Sequence, residues 1–382
     1  MIGFMIMGVG AGTIAGTLIA SNELLVLKMG VTGLYQFCEI VVGYAMPIYG
    51  QYVAPILFLG FLINVALARV TPLKNIYLTG HIMMFGATLI AVLLVLQLGL
   101  EGLPVIIWGG IIMGIYFWLA PAMAQPIMNK VTKGQNLGYG HGTTTGIVVG
   151  AYVGKFFGDP EDSTEKIKLP ESLQFFRDST IGTAFTMAII YTVITFLAGL
   201  GAAEAYSGGA DPVVWSILQG LLFGGGVCVL LTGVRMLIAE IVPAFKGFAD
   251  KIVPNAIPSL DCPVIMPFAP MAWMLGFLVS MVTATVMMFV LIGLDFQYII
   301  LPSVIMAFFE GGPAGVFGNA LGGKKGAIVA AIVDAIILAF GAAFLAPLLG
   351  HLNETGSTFS GTDWGIIFSI VGYILRFIGV GR

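Results

Sequence analysis

The chain has 382 residues, 58% of them hydrophobic and 9% charged, with a formal net charge of −3. Soluble domains carry about 25% charged residues, so a water-soluble globular fold is excluded, and without a basic stripe there is no nucleic-acid partner to expect. The composition is that of an all-α polytopic membrane protein.

The chain opens with MIGFMIMGVGAGTIAGTLIA, an apolar stretch with no basic residue ahead of it. A cleaved signal peptide begins with a charged region, so this stretch is expected to stay as a spanning helix. Its abrupt start suggests a further helix upstream. Gly and Pro interrupt residues 21–52, and LGFLINV (Leu59–Val65) follows. LTGHIMMFG (Leu78–Gly86) sets His81 in the first turn of a span. Such a histidine is either hydrogen-bonded between helices or serves a ligand, because ionisable groups at membrane depth mark functional sites.

Polar sequence concentrates at residues 129–180, with Lys130, Lys133, Lys155, Lys166, Lys168 and Arg177. The positive-inside rule makes this a cytoplasmic connector. Within it, GYGHGTTTG (Gly138–Gly146) combines His141 with glycines and hydroxyls such as that of Thr143, a broken segment suited to close approach of a ligand. KLPESLQFFRDST reads as an amphipathic helix with Phe175 and Phe176 at the interface.

Ile181–Ala202, Val213–Val234, Met271–Leu294 and Ala327–Leu349 are each long enough to cross a bilayer. Placing Arg69, Lys74, Arg235, Lys246, Lys251, Lys324, Lys325, Arg376 and Arg382 inside predicts about ten crossings with both ends cytoplasmic; Lys28 alone does not fit. LGFLVSM (Leu275–Met281) resembles LGFLINV and runs the opposite way in this topology. Inverted repeats at roughly 1–128 and 213–349 are therefore expected, within a single domain covering 1–382.

LDCPVIMPFAP (Leu260–Pro270) places Asp261 among prolines that break the helix, so the carboxylate need not face lipid. PSVIMAFFEGGPAGVFGNALGG (Pro302–Gly323), with Glu310 and Asn319, reads as broken backbone at membrane depth. Asp334 lies mid-helix and is either paired structurally or a proton or cation ligand. Cys38, Cys228 and Cys262 are scattered, so neither a disulfide framework nor a metal site is expected, and no P-loop or HExxH motif occurs.

AEIVPAFKGFADKIVPNAIPSLDCPVIMPFAP, PAGVFGNALGGKKGA, LTGHIM, KVTKGQNLGYGH and STEKIKLPESLQFFRD together resemble the membrane IIC component of the bacterial phosphoenolpyruvate-dependent phosphotransferase system. The ascorbate-type branch of the ascorbate/galactitol superfamily is the nearest. The resemblance implies a plasma-membrane homodimer that carries a sugar or sugar acid by an elevator-like shift, without a cofactor. Cytosolic IIB and IIA proteins act with it, and the phosphocysteine belongs to IIB. It also implies that His81, His141 and Asp261 contact the sugar, with Thr143, Glu310 and Asn319 nearby. The chain departs from the family at Phe85 and Gly142, where ascorbate transporters carry glutamines, and Tyr35 lies near the family's tyrosine region. A polyol such as galactitol is thus an alternative to ascorbate, and an ion-coupled transporter using Asp334 or Glu310 is an alternative to phosphotransfer.

Overall fold

Long uncharged apolar runs can satisfy their backbone in lipid only as helices or closed barrels, and helices are what form here. The computed structural model describes residues 31–167 and 179–379, and before them residues 5, 6, 9, 10, 12–14, 16, 17, 23 and 24. The long helices are α1 (Cys38–Val70), α2 (Gly80–Leu98), α3 (Leu103–Val131), α5 (Ser179–Ala198), α6 (Pro212–Lys251), α7 (Pro270–Gly293) and α8 (Gly312–Leu345). The shorter α4 (Thr144–Gly154) and α9 (Ser369–Gly379) complete the set used below. Among the described residues, seven helical runs are long and apolar enough to span a bilayer. Two more among the described residues, Thr144–Gly154 and Trp364–Gly379, are apolar but shorter. The protein is a multi-pass membrane protein. Most of the apolar start, Lys28, and residues 168–178 with Phe175 and Phe176 lie outside the described residues.

Two stretches expected to be broken differ. Residues 38–52 belong to α1, which runs through Pro47 and Pro55, because in an apolar surrounding the helix still satisfies more backbone than any alternative. In Pro302–Gly323 a turn at Val304–Met306 leads into a π-helical turn, Ala307–Gly311, and then α8. The break is confined to Gly322 and Gly323. Gly323 has φ 61 and ψ −152, and a Cβ there would strike the carbonyl oxygens of Asp159 and Asp162, so the 159–162 loop docks where only glycine fits.

Where the chain does leave the helix, its backbone groups find partners in short strands. β1 (Asn75–Tyr77), β2 (Gly138–Tyr139) and β3 (Ile257–Leu260) form a parallel sheet in the order β1-β3-β2. The outer side of β1 is served by the carboxamide of Asn64 in α1, which donates to Asn75 O and accepts from Tyr77 N, both at 3.0 Å. A second parallel junction is made by the bridges Leu34↔Ile300 and Tyr35↔Ser357. The two are reciprocal. The segment before α7 pairs with the segments after α1 and before α4, while the segment before α1 pairs with those after α7 and before Trp364.

The loop after α4 is fastened to the helices from two sides. Asn319 Oδ1 in α8 accepts from Thr164 N at 2.9 Å and from its hydroxyl at 3.2 Å, and Asn319 Nδ2 donates to Ser163 Oγ at 3.1 Å. Glu165 Oε1 accepts from Ala272 N in the first turn of α7 at 2.9 Å, and burial pushes the Glu165 carboxyl above its usual range. Asn319→Leu strands the buried Thr164 amide, whose hydroxyl keeps Glu165 Oε1 as an acceptor, so a loss of about 1–3 kcal/mol of stability is expected, read as a lower melting temperature in detergent.

Candidate functional site

The parallel sheet delivers one ionisable side chain from each of its strands. After β1 the chain enters α2 at Gly80, placing His81 in the first turn. After β2, Gly140 N donates to Leu260 O at 2.8 Å, and His141 follows in the turn leading to α4. After β3 comes Asp261, which caps the 3-10 turn Cys262–Phe268, its Oδ1 accepting from Cys262 N at 2.7 Å. Because the strands run parallel with β3 in the middle, Asp261 falls between the two histidines. His81 Nε2 lies 3.7 Å from Asp261 Oδ2, and His141 Nε2 lies 3.7 Å from Asp261 Oδ1.

These separations exceed a normal hydrogen bond. The three groups face a common point without consuming one another's hydrogen-bonding capacity. His141 is oriented from behind: Nδ1 is 3.0 Å from Thr143 Oγ1, which is 2.8 Å from Tyr139 Oη. That relay leaves Nε2 turned to Asp261. The His81 side chain is 50% exposed against 10% for His141 and 17% for Asp261, so the site has an open and a closed side. The histidines, distant in sequence, form with Asp261 a cluster whose ligand atoms lie within 4.8 Å of one another; among the described residues it is the one such group spaced to hold a metal ion.

The cluster opens into a cavity of about 490 Å³ walled by Phe37, Phe85, Phe309 and Trp364 and also lined by Gln36. The Phe85 ring meets the His81 ring edge-on, with centroids 5.8 Å apart. A Cβ on Gly142 would lie 2.6 Å from Trp364 ring atoms, so the indole fills the space a longer side chain at 142 would need. Both departures from the family pattern therefore put flat apolar surface where carboxamides were expected.

Thr143 lies one step behind the cavity, through His141. Glu310 and Asn319 do not line it. Glu310 Oε1 accepts from Thr362 N at 3.0 Å, while Glu310 Oε2 and both oxygens of Asp334 are buried without a hydrogen-bond partner. Asn319 holds the 163–164 loop instead. Sequence reasoning missed Asp363, fully buried, whose carboxylate accepts from Thr144 N at 3.1 Å, Thr145 N at 2.6 Å and the Tyr116 hydroxyl at 2.7 Å. It caps α4 directly behind His141. A signal was present: a lone acid beside Trp364 at the head of an apolar segment.

The model of the family described as the sugar-specific permease component of the phosphotransferase system (EIIC-GAT) matches residues 1–363. The chain belongs to this permease family. A curated relative, the ascorbate-specific phosphotransferase-system EIIC component of Mycoplasma pneumoniae, is 30% identical over an alignment of 323 residues. The alignment covers 74% of this permease and 49% of the relative, so the chain spans about half the length of the curated relative it matches.

Proposed function

We propose that this permease binds a polyhydroxy sugar or sugar acid between His81, His141 and Asp261 and carries it across the membrane for phosphorylation by a cytosolic IIB protein. The observation that carries the reading is the convergence of two imidazoles and a carboxylate, unbonded to one another, at the mouth of an aromatic-walled cavity. Clefts with apolar and aromatic walls and a few converging polar groups are the usual form of small-molecule sites. Family membership and the ascorbate-specific relative support a sugar of this class. Phe85, and the Trp364 indole over Gly142, keep galactitol and related polyols as candidates beside ascorbate. A homodimer with IIB and IIA as partners belongs to the same reading.

Transport by an elevator-like shift requires two related halves. The reciprocal pairing of the segments flanking α1 and α7 supports that organisation. In sealed vesicles, uptake is expected to need phosphorylated IIB and to yield sugar phosphate inside. Uptake of unmodified sugar driven by a proton or sodium gradient alone would overturn this and favour the second reading, ion coupling. That alternative has one observation in its favour, the unpartnered buried oxygens of Glu310 and Asp334.

A further inference from the structure

We propose that Gln36 is a second hydrogen-bonding residue of the sugar pocket, reading a terminal hydroxyl of an extended polyhydroxy ligand whose other end lies against Asp261. This deepens the sugar-binding reading above and rests on it.

Gln36 lines the cavity and is only 4% exposed. Its Nε2 donates to Leu301 O at 2.9 Å, which fixes the carboxamide, while its Oε1 is buried with no hydrogen-bond partner. A buried acceptor left unpaired costs about as much as a lost hydrogen bond, so native proteins rarely keep one without a use. The residue is placed by the second strand junction, immediately after the bridge Tyr35↔Ser357, as Asp261 is placed immediately after β3. The two junctions thus each place one acceptor-bearing residue in the lining of the same cavity. The described lining residues include the acids Glu39 and Asp261 but neither Lys nor Arg. A ligand must therefore bring donors to both acceptors, and sugar hydroxyls supply them. With glutamine absent at positions 85 and 142, Gln36 is the carboxamide residue among the described lining residues.

The test is a coupling measurement on the purified full chain by calorimetric titration. The probes are galactitol against D- and L-fucitol, each galactitol lacking one terminal hydroxyl, and L-ascorbate against 6-deoxy-L-ascorbate. One neutral hydrogen bond corresponds to about 5–10-fold in Kd. In at least one probe pair, deleting the hydroxyl is expected to weaken wild-type binding by about that factor and to cost Gln36→Met nothing further. A packing role for Gln36 would weaken parent and deoxy compound alike, so the ratio stays readable even if the substitution lowers the melting temperature. An equal cost of hydroxyl deletion in wild type and Gln36→Met across all pairs, with His81→Ala still abolishing binding, overturns the role of Gln36 and leaves the site intact. Wild-type protein that binds none of the probes, or His81→Ala that binds them like wild type, overturns the sugar-binding reading beneath it.

Discussion

Asp261→Ala is expected to raise the Kd for the transported sugar by about 10–100-fold while the protein still folds. The carboxylate sits between two histidines it does not hydrogen-bond, at 3.7 Å from each, so its oxygens remain available to hydroxyls. Hydrogen bonds to a charged acceptor are worth about 1.5–3 kcal/mol, which corresponds to that loss of affinity. The structural cost is smaller: Asp261 caps one short turn through Cys262 N, and an N-cap removed to alanine costs about 1 kcal/mol. Asp261→Asn keeps a capping oxygen and should bind with intermediate affinity. Titration calorimetry beside thermal melts separates the two effects. Wild-type affinity in Asp261→Ala would place the sugar elsewhere.

Asp363→Ala should act the other way round, mainly on the fold. Its carboxylate takes three buried donors, the amides of Thr144 and Thr145 and the hydroxyl of Tyr116. Removing it leaves the two amides without an acceptor and the Tyr116 hydroxyl with only a long 3.5 Å contact to His141 O. Each stranded buried donor costs about 1–3 kcal/mol, so a destabilisation of about 3–5 kcal/mol is expected, visible as a large drop in melting temperature. Asp363→Asn retains one acceptor oxygen and should lose less. Because α4 follows directly from His141, weakened sugar binding should accompany the drop. An unchanged melt would show that water or backbone movement replaces the carboxylate.

The contrast between these two acids shows what could be read along the chain. Asp261 announces itself because prolines at 258, 263 and 267 bracket it in an apolar run, and a charge at a helix break has local reasons to be there. Asp363 has only its place at the head of an apolar segment. All three partners of its carboxylate are more than 200 residues away, and no local periodicity encodes a pairing of that range. Asn319, which the resemblance puts near the sugar, has the Thr164 amide and the hydroxyls of Ser163 and Thr164 as its partners, again contacts across more than 150 residues. Gln36 passed unnoticed because a single glutamine ahead of an apolar helix is unremarkable until its carbonyl oxygen is found buried and unpaired.

By itself the sequence determined the membrane class and which ionisable groups are unusual, because the cost of placing charge and open backbone in hydrocarbon acts locally and leaves its mark residue by residue. His81, His141 and Asp261 stood out on that ground. Only the tertiary structure decided that these three meet. The meeting depends on parallel pairing of strands at 75–77, 138–139 and 257–260 in the order β1-β3-β2, contacts between distant segments that no single stretch of the chain specifies. The same kind of long-range pairing decided which buried acids brace the fold and placed Gln36 in the cavity lining.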